Sequence, residues 1–567
     1  MGMKKVIPVI IAIALICIIV AVSFGKTLYE KYSYGQERAD LNEYFEIFGA
    51  DDAPIILQDE KIGRSAWVSD GAVYFEESFI KEYFTKRFYY DENEELLLYT
   101  TANTTYEAGA DSKTVTDVQT GETSSYDSVI WKLKDNKLYI FADYIRHYVN
   151  FEYELFNDPY HLQVYTEWNQ RVVATVKSDT QVRWRGGVKS EILTDASEGD
   201  KVTILEEMDD WTKVKTKDGF IGYIENKRLA DETVETPSPV TTAIEDNFTY
   251  LTRDHRINLT WHNIEYPQGG SELLNALGSV RELNVISPTW YWLSDDLGGF
   301  EEVGNAGYVT KAHELGIEVW PSVSNFHYGS DVSTYNVLGY TSIRRQFTRN
   351  LVENAVAYGV DGINVDFETM DSSTTPHFVQ FVRELTLAAH KEGLVISVDN
   401  YVPTEYTAHY NRAEQGRFAD YIIIMGYDEH YQGSEIGSVS TVSWMDSGIE
   451  NTIKAVGDAK RVINAIPFYT RVWKTTDGTV ESEAVTMKVQ NDFIERNNLE
   501  PTWDNETNQY YAEATISGTF YQVWLENADS VEVRLNVMKK YDLGGVASWC
   551  LGQETPDIWD VIASYMQ

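Results

Sequence analysis

Residues 361–368 read Asp-Gly-Ile-Asn-Val-Asp-Phe-Glu, and the order of side chains in this octet decides how the segment is used. Successive side chains of an extended strand point to opposite faces. Asn364, Asp366 and Glu368 therefore share one face, and Ile363, Val365 and Phe367 share the other. Carboxylates on a central strand cost free energy unless they are paired, so a purely structural strand rarely carries two side by side. A closed parallel barrel accommodates this arrangement, with the polar face inward and the functional groups at the C-terminal ends of its strands.

Moving outward, the last 320 or so residues repeat short apolar runs separated by helix-length segments. INLTWHNI begins at 257, NVISPTWYW at 284, IEVWPSVSN at 317 and GINVDFE at 362; LVISVDNY follows at 394, YIIIMGYD at 421, VINAIPFYT at 462 and GVASWCLG at 545. Eight such runs predict a (β/α)₈ TIM barrel over residues 245–567. Between the fourth and fifth runs, Phe378, Phe381, Val382, Leu385 and Ala389 recur at helical spacing and Lys391-Glu392-Gly393 ends the helix. The long stretch between the seventh and eighth runs predicts a small inserted subdomain, followed by a helix near residues 530–540.

Upstream, residues 174–230 alternate in short runs, VTILEE, WTKVKT and FIGYIE, with turn signals at Glu198-Gly199-Asp200, Asp209-Asp210 and Asp218-Gly219. That punctuation predicts a small antiparallel all-β barrel. Residues 231–244 (DETVETPSPVTT and the two that follow) are polar, carry two prolines and read as a linker. Residues 31–170 read as an α+β N-terminal module, with a short helix at 79–84 and strands at 95–100 and 138–142. After Lys4 and Lys5, Val6 to Phe24 form nineteen uncharged residues, long enough to cross a bilayer. The expectation for residues 1–30 is an uncleaved transmembrane helix with the lysines inside and the remainder outside the cell membrane; secretion after signal cleavage is the alternative.

The 567 residues carry 47 Lys and Arg against 88 Asp and Glu, a net charge of -41, which repels a phosphate backbone and excludes nucleic acid as a partner. The two cysteines, Cys17 and Cys550, cannot build a disulfide framework outside the cell. The 10 His are scattered along the chain, so neither a metal nor another cofactor is expected.

The octet resembles the signature of glycoside hydrolase family 18, in which a D-x-x-D-x-D-x-E run ends in the catalytic acid. The resemblance extends over residues 245–567: Met425-Gly426-Tyr427-Asp428 is similar to the family's M-x-Y-D motif, Pro467-Phe468-Tyr469 with Arg471 and Trp473 to its seventh-strand segment, and Trp549 stands where the eighth strand floors the sugar site. Residues 174–230 resemble the bacterial SH3 domain, which implies a cell-wall peptide as a ligand. Residues 80–101 faintly resemble small envelope modules described as copper amine oxidase N-terminal-like, without the His or Cys cluster that would hold copper.

The family 18 resemblance implies a retaining, substrate-assisted glycosidase acting on N-acetylglucosamine-containing glycans. Glu368, Asp366 and Tyr427 would be catalytic. Asn364, Asp361, Met425, Asp428, Tyr469, Arg471 and Trp549 would bind substrate. Asn364 departs from the pattern of many chitinases, which have aspartate there, and the G-x-N-x-D-F-E form resembles spore and cell-wall N-acetylglucosaminidases, which favours peptidoglycan over chitin. Its amide is expected to donate to Asp366, leaving that carboxylate without a neighbour able to share a proton. A lectin-like barrel without catalysis and a structural envelope protein are the alternatives.

Overall fold

The computed structural model describes residues 3–327 and 329–567, with side chains from residue 7 onward, so the side chains of Lys4 and Lys5 lie outside the described part. The chain forms two compact units. One holds residues up to 86 together with 110–115 and 124–245; the other holds 87–109, 116–123 and 246–567.

The second unit contains the barrel. Its strands are β1 (Ile257–His262), β2 (Val285–Leu293), β3 (Ser322–Ser324), β4 (Gly362–Asp366), β5 (Val395–Tyr401), β6 (Tyr421–Met425), β7 (Val462–Pro467) and β8 (Gly545–Trp549). All eight runs read from the sequence are strands. The third is split, with Glu318–Val319 pairing first and Pro321, which lacks an N–H, in the gap. Parallel pairing runs through neighbours in order, and β1 pairs with both β2 and β8, which closes the barrel. Ile363, Val365 and Phe367 face outward into the main core, against Phe378, Phe381, Val382 and Leu385 of the surrounding helices. Trp261, Trp320, Tyr421 and Ile423 belong to a separate apolar cluster.

Two helices flank β4. α1 (Thr341–Tyr358) precedes it and α2 (Thr375–Lys391), the helix expected from the apolar spacing, follows it. Between β7 and β8 lies the expected insertion, a five-stranded sheet with the helix Met487–Arg496. Its hairpins turn at Asp477-Gly478 and Ser517-Gly518, all four with positive φ, the conformation that two-residue hairpin loops require. The helix Ala528–Tyr541 follows.

The strands Phe88–Asp91, Leu96–Thr100 and Thr105–Gly109 also belong to this unit, which the expected module over 31–170 did not anticipate. They pack on α1 and α2. Tyr340, at the N-cap of α1, makes no side-chain cap of its own. Asp91 supplies it from the strand: its Oδ2 accepts from the N–H (2.7 Å) and hydroxyl (2.6 Å) of Thr341, and Glu94 accepts from the N–H of Ser342 at 3.0 Å. Acidic oxygens at that position satisfy otherwise unpaired N–H groups and complement the helix dipole. Beneath them Arg344, fully buried, bonds Glu384 at 2.9 and 3.2 Å, the Tyr89 hydroxyl at 3.1 Å and the Leu338 carbonyl at 2.6 Å.

In the first unit the bacterial-SH3-like strands form a seven-stranded antiparallel sheet that includes Lys201–Glu207, Trp211–Lys215 and Ile221–Glu225, around Ala174, Val182, Val202, Val214 and Ile224. Its last strand, Leu229–Glu235, pairs with Arg171–Val176 and so takes in the first five residues expected as linker. A second seven-stranded sheet is built from the N-terminal module, and Tyr44, Phe45 and Ile56 of that module share a core with Leu193 and Phe220 of the SH3-like part. The N-terminal helix Met3–Tyr32 is fully exposed from Ile7 and is long and apolar enough to cross a membrane.

Candidate active site

The C-terminal ends of β4 to β8 open on a cavity of about 220 Å³ lined by Asp366, Glu368, Met425, Tyr427, Asp428, Tyr469 and Trp549, with Trp261, Phe326, Asp399 and Tyr401. Seven of the ten residues expected at the site are thus brought together. Arg471 lines a second cavity, about 260 Å³, that shares Asp428, Tyr469 and Trp549 with the first. Asp361 and Asn364 do not line either. Asp361 precedes β4 at the opposite end of the strand, where its carboxylate pairs with His313 Nε2 and accepts from the N–H of Val319, both at 2.8 Å; it anchors the barrel there and is too far along the strand to touch a sugar.

Asn364 lies fully buried below the cavity. Its Oδ1 accepts from Trp261 Nε1 (2.9 Å) and the Ser287 hydroxyl (3.3 Å), and its Nδ2 donates to the Ser397 hydroxyl (3.0 Å) and to Asp399 Oδ1 (2.8 Å). The expected bond from Asn364 to Asp366 is therefore absent: both amide donors turn to β5, because Asn364 is paired in register with Ser397.

Glu368 stands just past β4, and its main chain is clamped by Asn325. The Asn325 side chain accepts from the Glu368 N–H at 2.8 Å and donates to the Glu368 carbonyl at 2.9 Å. The Tyr401 hydroxyl donates to Glu368 Oε2 at 2.6 Å. Burial raises the Glu368 carboxyl above its ordinary range; the Tyr401 bond opposes that rise and the negative charge of Asp428 adds to it. A carboxyl shifted in that direction keeps its proton to higher pH than an exposed one, as a general acid requires. Asp366 is raised well above its usual range by burial and by the charges of Glu368 and Asp399, and its Oδ1 is shielded from solvent with no hydrogen-bond partner among the described residues. Burial likewise keeps the Tyr427 phenol neutral and able to donate.

β6 sets Tyr427 and Asp428. Gly426 is required before them, since a Cβ there would come within 2.5 Å of the Ala465 carbonyl and 2.9 Å of the Asn464 side chain on β7. Asp428 has φ +60°, a left-handed conformation that aspartate tolerates better than most residues, and its Oδ1 accepts from the Tyr469 hydroxyl at 2.6 Å. Trp549, at the end of β8, lies with its ring 5.9 Å from that of Trp261. Among the described residues no three His, Cys, Asp or Glu side chains converge closely enough to hold a metal ion.

Sequence reading passed over Asn325, Asp399 and Tyr401. The signal for the last two was present: in VISVDNY, alternation places Ser397, Asp399 and Tyr401 on one face. Tyr401→Phe removes the one side-chain donor to the Glu368 carboxylate among the described residues. Its loss should move the alkaline limb of the kcat/KM profile to higher pH, because that hydrogen bond stabilises the ionised carboxylate, and should lower kcat about tenfold through a less fixed acid. A profile superimposable on the wild type would remove Tyr401 from the site.

Comparison with known proteins agrees with this geometry. Residues 290–554 match the model for glycosyl hydrolases family 18, and residues 171–230 match that for the bacterial SH3 domain. The chain is 25% identical over 268 residues to the uncharacterized glycosylase YvbX of Bacillus subtilis, covering 45% of this chain and 76% of that one. It is 27% identical over 233 residues to the cortical fragment-lytic enzyme of the same organism, covering 39% of this chain and 54% of that enzyme, so it spans about half of that relative's length. Among solved structures, the C-terminal domain of a chitinase candidate from Desulfitobacterium hafniense shares the fold, with 18% identity and a TM-score of 0.50 over 55% of this chain and 100% of that one. The barrel of this chain is a family 18 glycosyl hydrolase domain, and the small β-barrel before it is a bacterial SH3 domain.

Proposed function

We propose that the barrel cleaves β-1,4 bonds of N-acetylglucosamine-containing glycans with retention of configuration, and that its substrate is peptidoglycan. The observation that carries this reading is the convergence of Glu368, Asp366 and Tyr427 on one cavity floored by Trp549. Glu368 protonates the glycosidic oxygen as the sugar's own 2-acetamido oxygen attacks the anomeric carbon and the bond to the leaving sugar breaks. The product is a cyclic oxazolinium ion. Asp366 accepts the acetamido N–H and offsets the positive charge, while Tyr427 donates to the acetamido oxygen and aligns it. Asp428, fixed by Tyr469, orients the ring. Glu368 then takes a proton from the water that opens the oxazolinium, and two inversions give retention.

Preference for peptidoglycan is supported by the similarity to the cortical fragment-lytic enzyme and by Arg471, the one cationic side chain among the described residues that line either cavity. Its Nη1 donates to the Ser482 hydroxyl at 3.2 Å and its Nε has no partner. Peptidoglycan carries lactyl and peptide carboxylates that chitin lacks, and a guanidinium beside the sugar site is suited to one. For Arg471→Met, the loss of kcat/KM on muropeptide oligomers should exceed that on chito-oligosaccharides by about tenfold or more, the worth of a hydrogen bond to a charged group. Equal losses would mean that Arg471 does not read an acidic substituent.

In the same reading the N-terminal helix tethers the enzyme to the cell membrane with the barrel outside, and the first unit holds a cell-wall peptide. A cavity of about 660 Å³ in that unit, lined by Tyr165, Trp168, Arg171 and Lys201 among others, is large enough for one. Protease added to intact protoplasts should degrade the barrel; complete protection would contradict the topology.

A further inference from the structure

Asp399 has no counterpart in the motifs that identify the barrel, yet it lines the catalytic cavity and is 2% exposed. The parallel register pairs Asn364 with Ser397 and Val365 with Val398. Continued by one residue, the register sets Asp366 beside Asp399, on strands that neighbour each other at about 4.8 Å. Each of these carboxyls has one oxygen that is shielded from solvent and has no hydrogen-bond partner among the described residues, Oδ1 of Asp366 and Oδ2 of Asp399. The other oxygen of Asp399 is already engaged, as acceptor from Asn364. An orphaned buried oxygen on each of two adjacent carboxyls is satisfied at both ends by a single proton between them.

We propose that Asp399 is a positioning residue that shares one proton with Asp366, so that the pair presents a single negative charge to the acetamido group. The proposal rests on the glycosidase reading above. Asp399 donates its proton to Asp366, Asn364 fixes the orientation of Asp399 from below, and Asp366 remains the acceptor for the sugar N–H. A neutral amide at position 364 thus does not deprive Asp366 of a proton partner: the partner comes from β5. The ionisable groups facing the pair are Glu368 on the β4 side, Tyr401 on β5, Tyr427 and Asp428 after β6 and Tyr469 after β7. Among the described residues lining the cavity none is cationic, so no positive charge there lets both aspartates ionise. Burial raises Asp399, against the pull of the Asn364 bond, in keeping with a proton retained between the two.

The test compares Asp399→Asn and Asp399→Ala with the wild type, using kcat/KM on a chito-oligosaccharide across the acidic and neutral range. Asparagine can still accept from Asn364 and turn an N–H toward Asp366, as the protonated aspartic acid does; alanine cannot. In the alanine variant Asp366 loses the donor that stabilises its anion. The acidic limb should therefore move up by about one pH unit or more, while in the asparagine variant it stays close to that of the wild type. A uniform loss of rate in Asp399→Ala with the limb unmoved, or the same displacement in both variants, would overturn the proposal. Should the alanine variant not fold, infrared spectra of Glu368→Gln with and without Asp399→Asn decide the matter. A protonated-carboxyl band at neutral pH should be present in the first and missing in the second, and indistinguishable spectra would refute proton sharing. The infrared result does not depend on turnover, so failure of the wild type to cleave any N-acetylglucosaminide would count against the glycosidase reading alone.

Discussion

Glu368→Gln should lower kcat/KM by about 10²–10⁴-fold or more, with sugar binding and fold retained. The substitution keeps the shape of the side chain, the acceptor for the Tyr401 hydroxyl (2.6 Å) and the main-chain clamp from Asn325. What it removes is the transferable proton, needed first by the leaving oxygen and then in reverse by the attacking water. In the proposed mechanism the acid acts in both steps and no other group in the cavity is assigned to replace it: Asp428 is held by Tyr469, and Asp366 is assigned to the acetamido group. The loss should fall on kcat, with binding of an N-acetylglucosamine oligomer, measured by calorimetry, changed little. Wild-type turnover in this variant would take Glu368 out of the mechanism.

Arg344→Ala should destabilise the barrel unit by about 3–5 kcal/mol, the cost of breaking a buried ion pair from one side. Glu384 would be left buried with a charge answered only by Gln380, whose Nε2 lies 3.0 Å from Glu384 Oε1. The Tyr89 hydroxyl would lose one of its partners, and a cavity would open between α1, α2 and the strand Phe88–Asp91. Thermal denaturation followed by circular dichroism should show Tm lowered by about 6–20 °C. The result also bears on how the enzyme can be truncated. Because strands from residues 88–109 cap and brace α1 and α2, a fragment beginning at residue 245 lacks those contacts and should melt lower than the full chain. A Tm unchanged by Arg344→Ala would mean that the network contributes no stability.

The barrel was legible because its signals are local. Each of the eight runs carries enough apolar residues to define a strand by itself, and the helical spacing of Phe378 to Ala389 needs no distant partner to be recognised. The same holds for the placing of Glu368, Asp366, Tyr427 and Trp549, which line one cavity at the strand ends. What stayed hidden depends on contacts far apart in the chain. Asp91 caps a helix 250 positions away, and nothing in the FYYDENE segment announces that partner. The role of Asn364 was misread for a related reason. Alternation gives the face on which a side chain lies, while its hydrogen-bond partners depend on the register of the neighbouring strand, and here that register supplies Ser397 and Asp399 where only Asp366 had been considered. Asp361 was carried along by its place in the motif, although the strand's direction puts it at the end away from the sugar.

Whether this barrel is a peptidoglycan N-acetylglucosaminidase whose acid is Glu368 is decided on the natural polymer. Purified sacculi digested with the wild-type enzyme are reduced with borohydride and their fragments identified by mass spectrometry, with Glu368→Gln as the control. New chain ends that carry reduced N-acetylglucosamine should appear, in the wild-type digest alone. Ends carrying reduced N-acetylmuramic acid, or sacculi left intact by the wild type, would contradict that assignment.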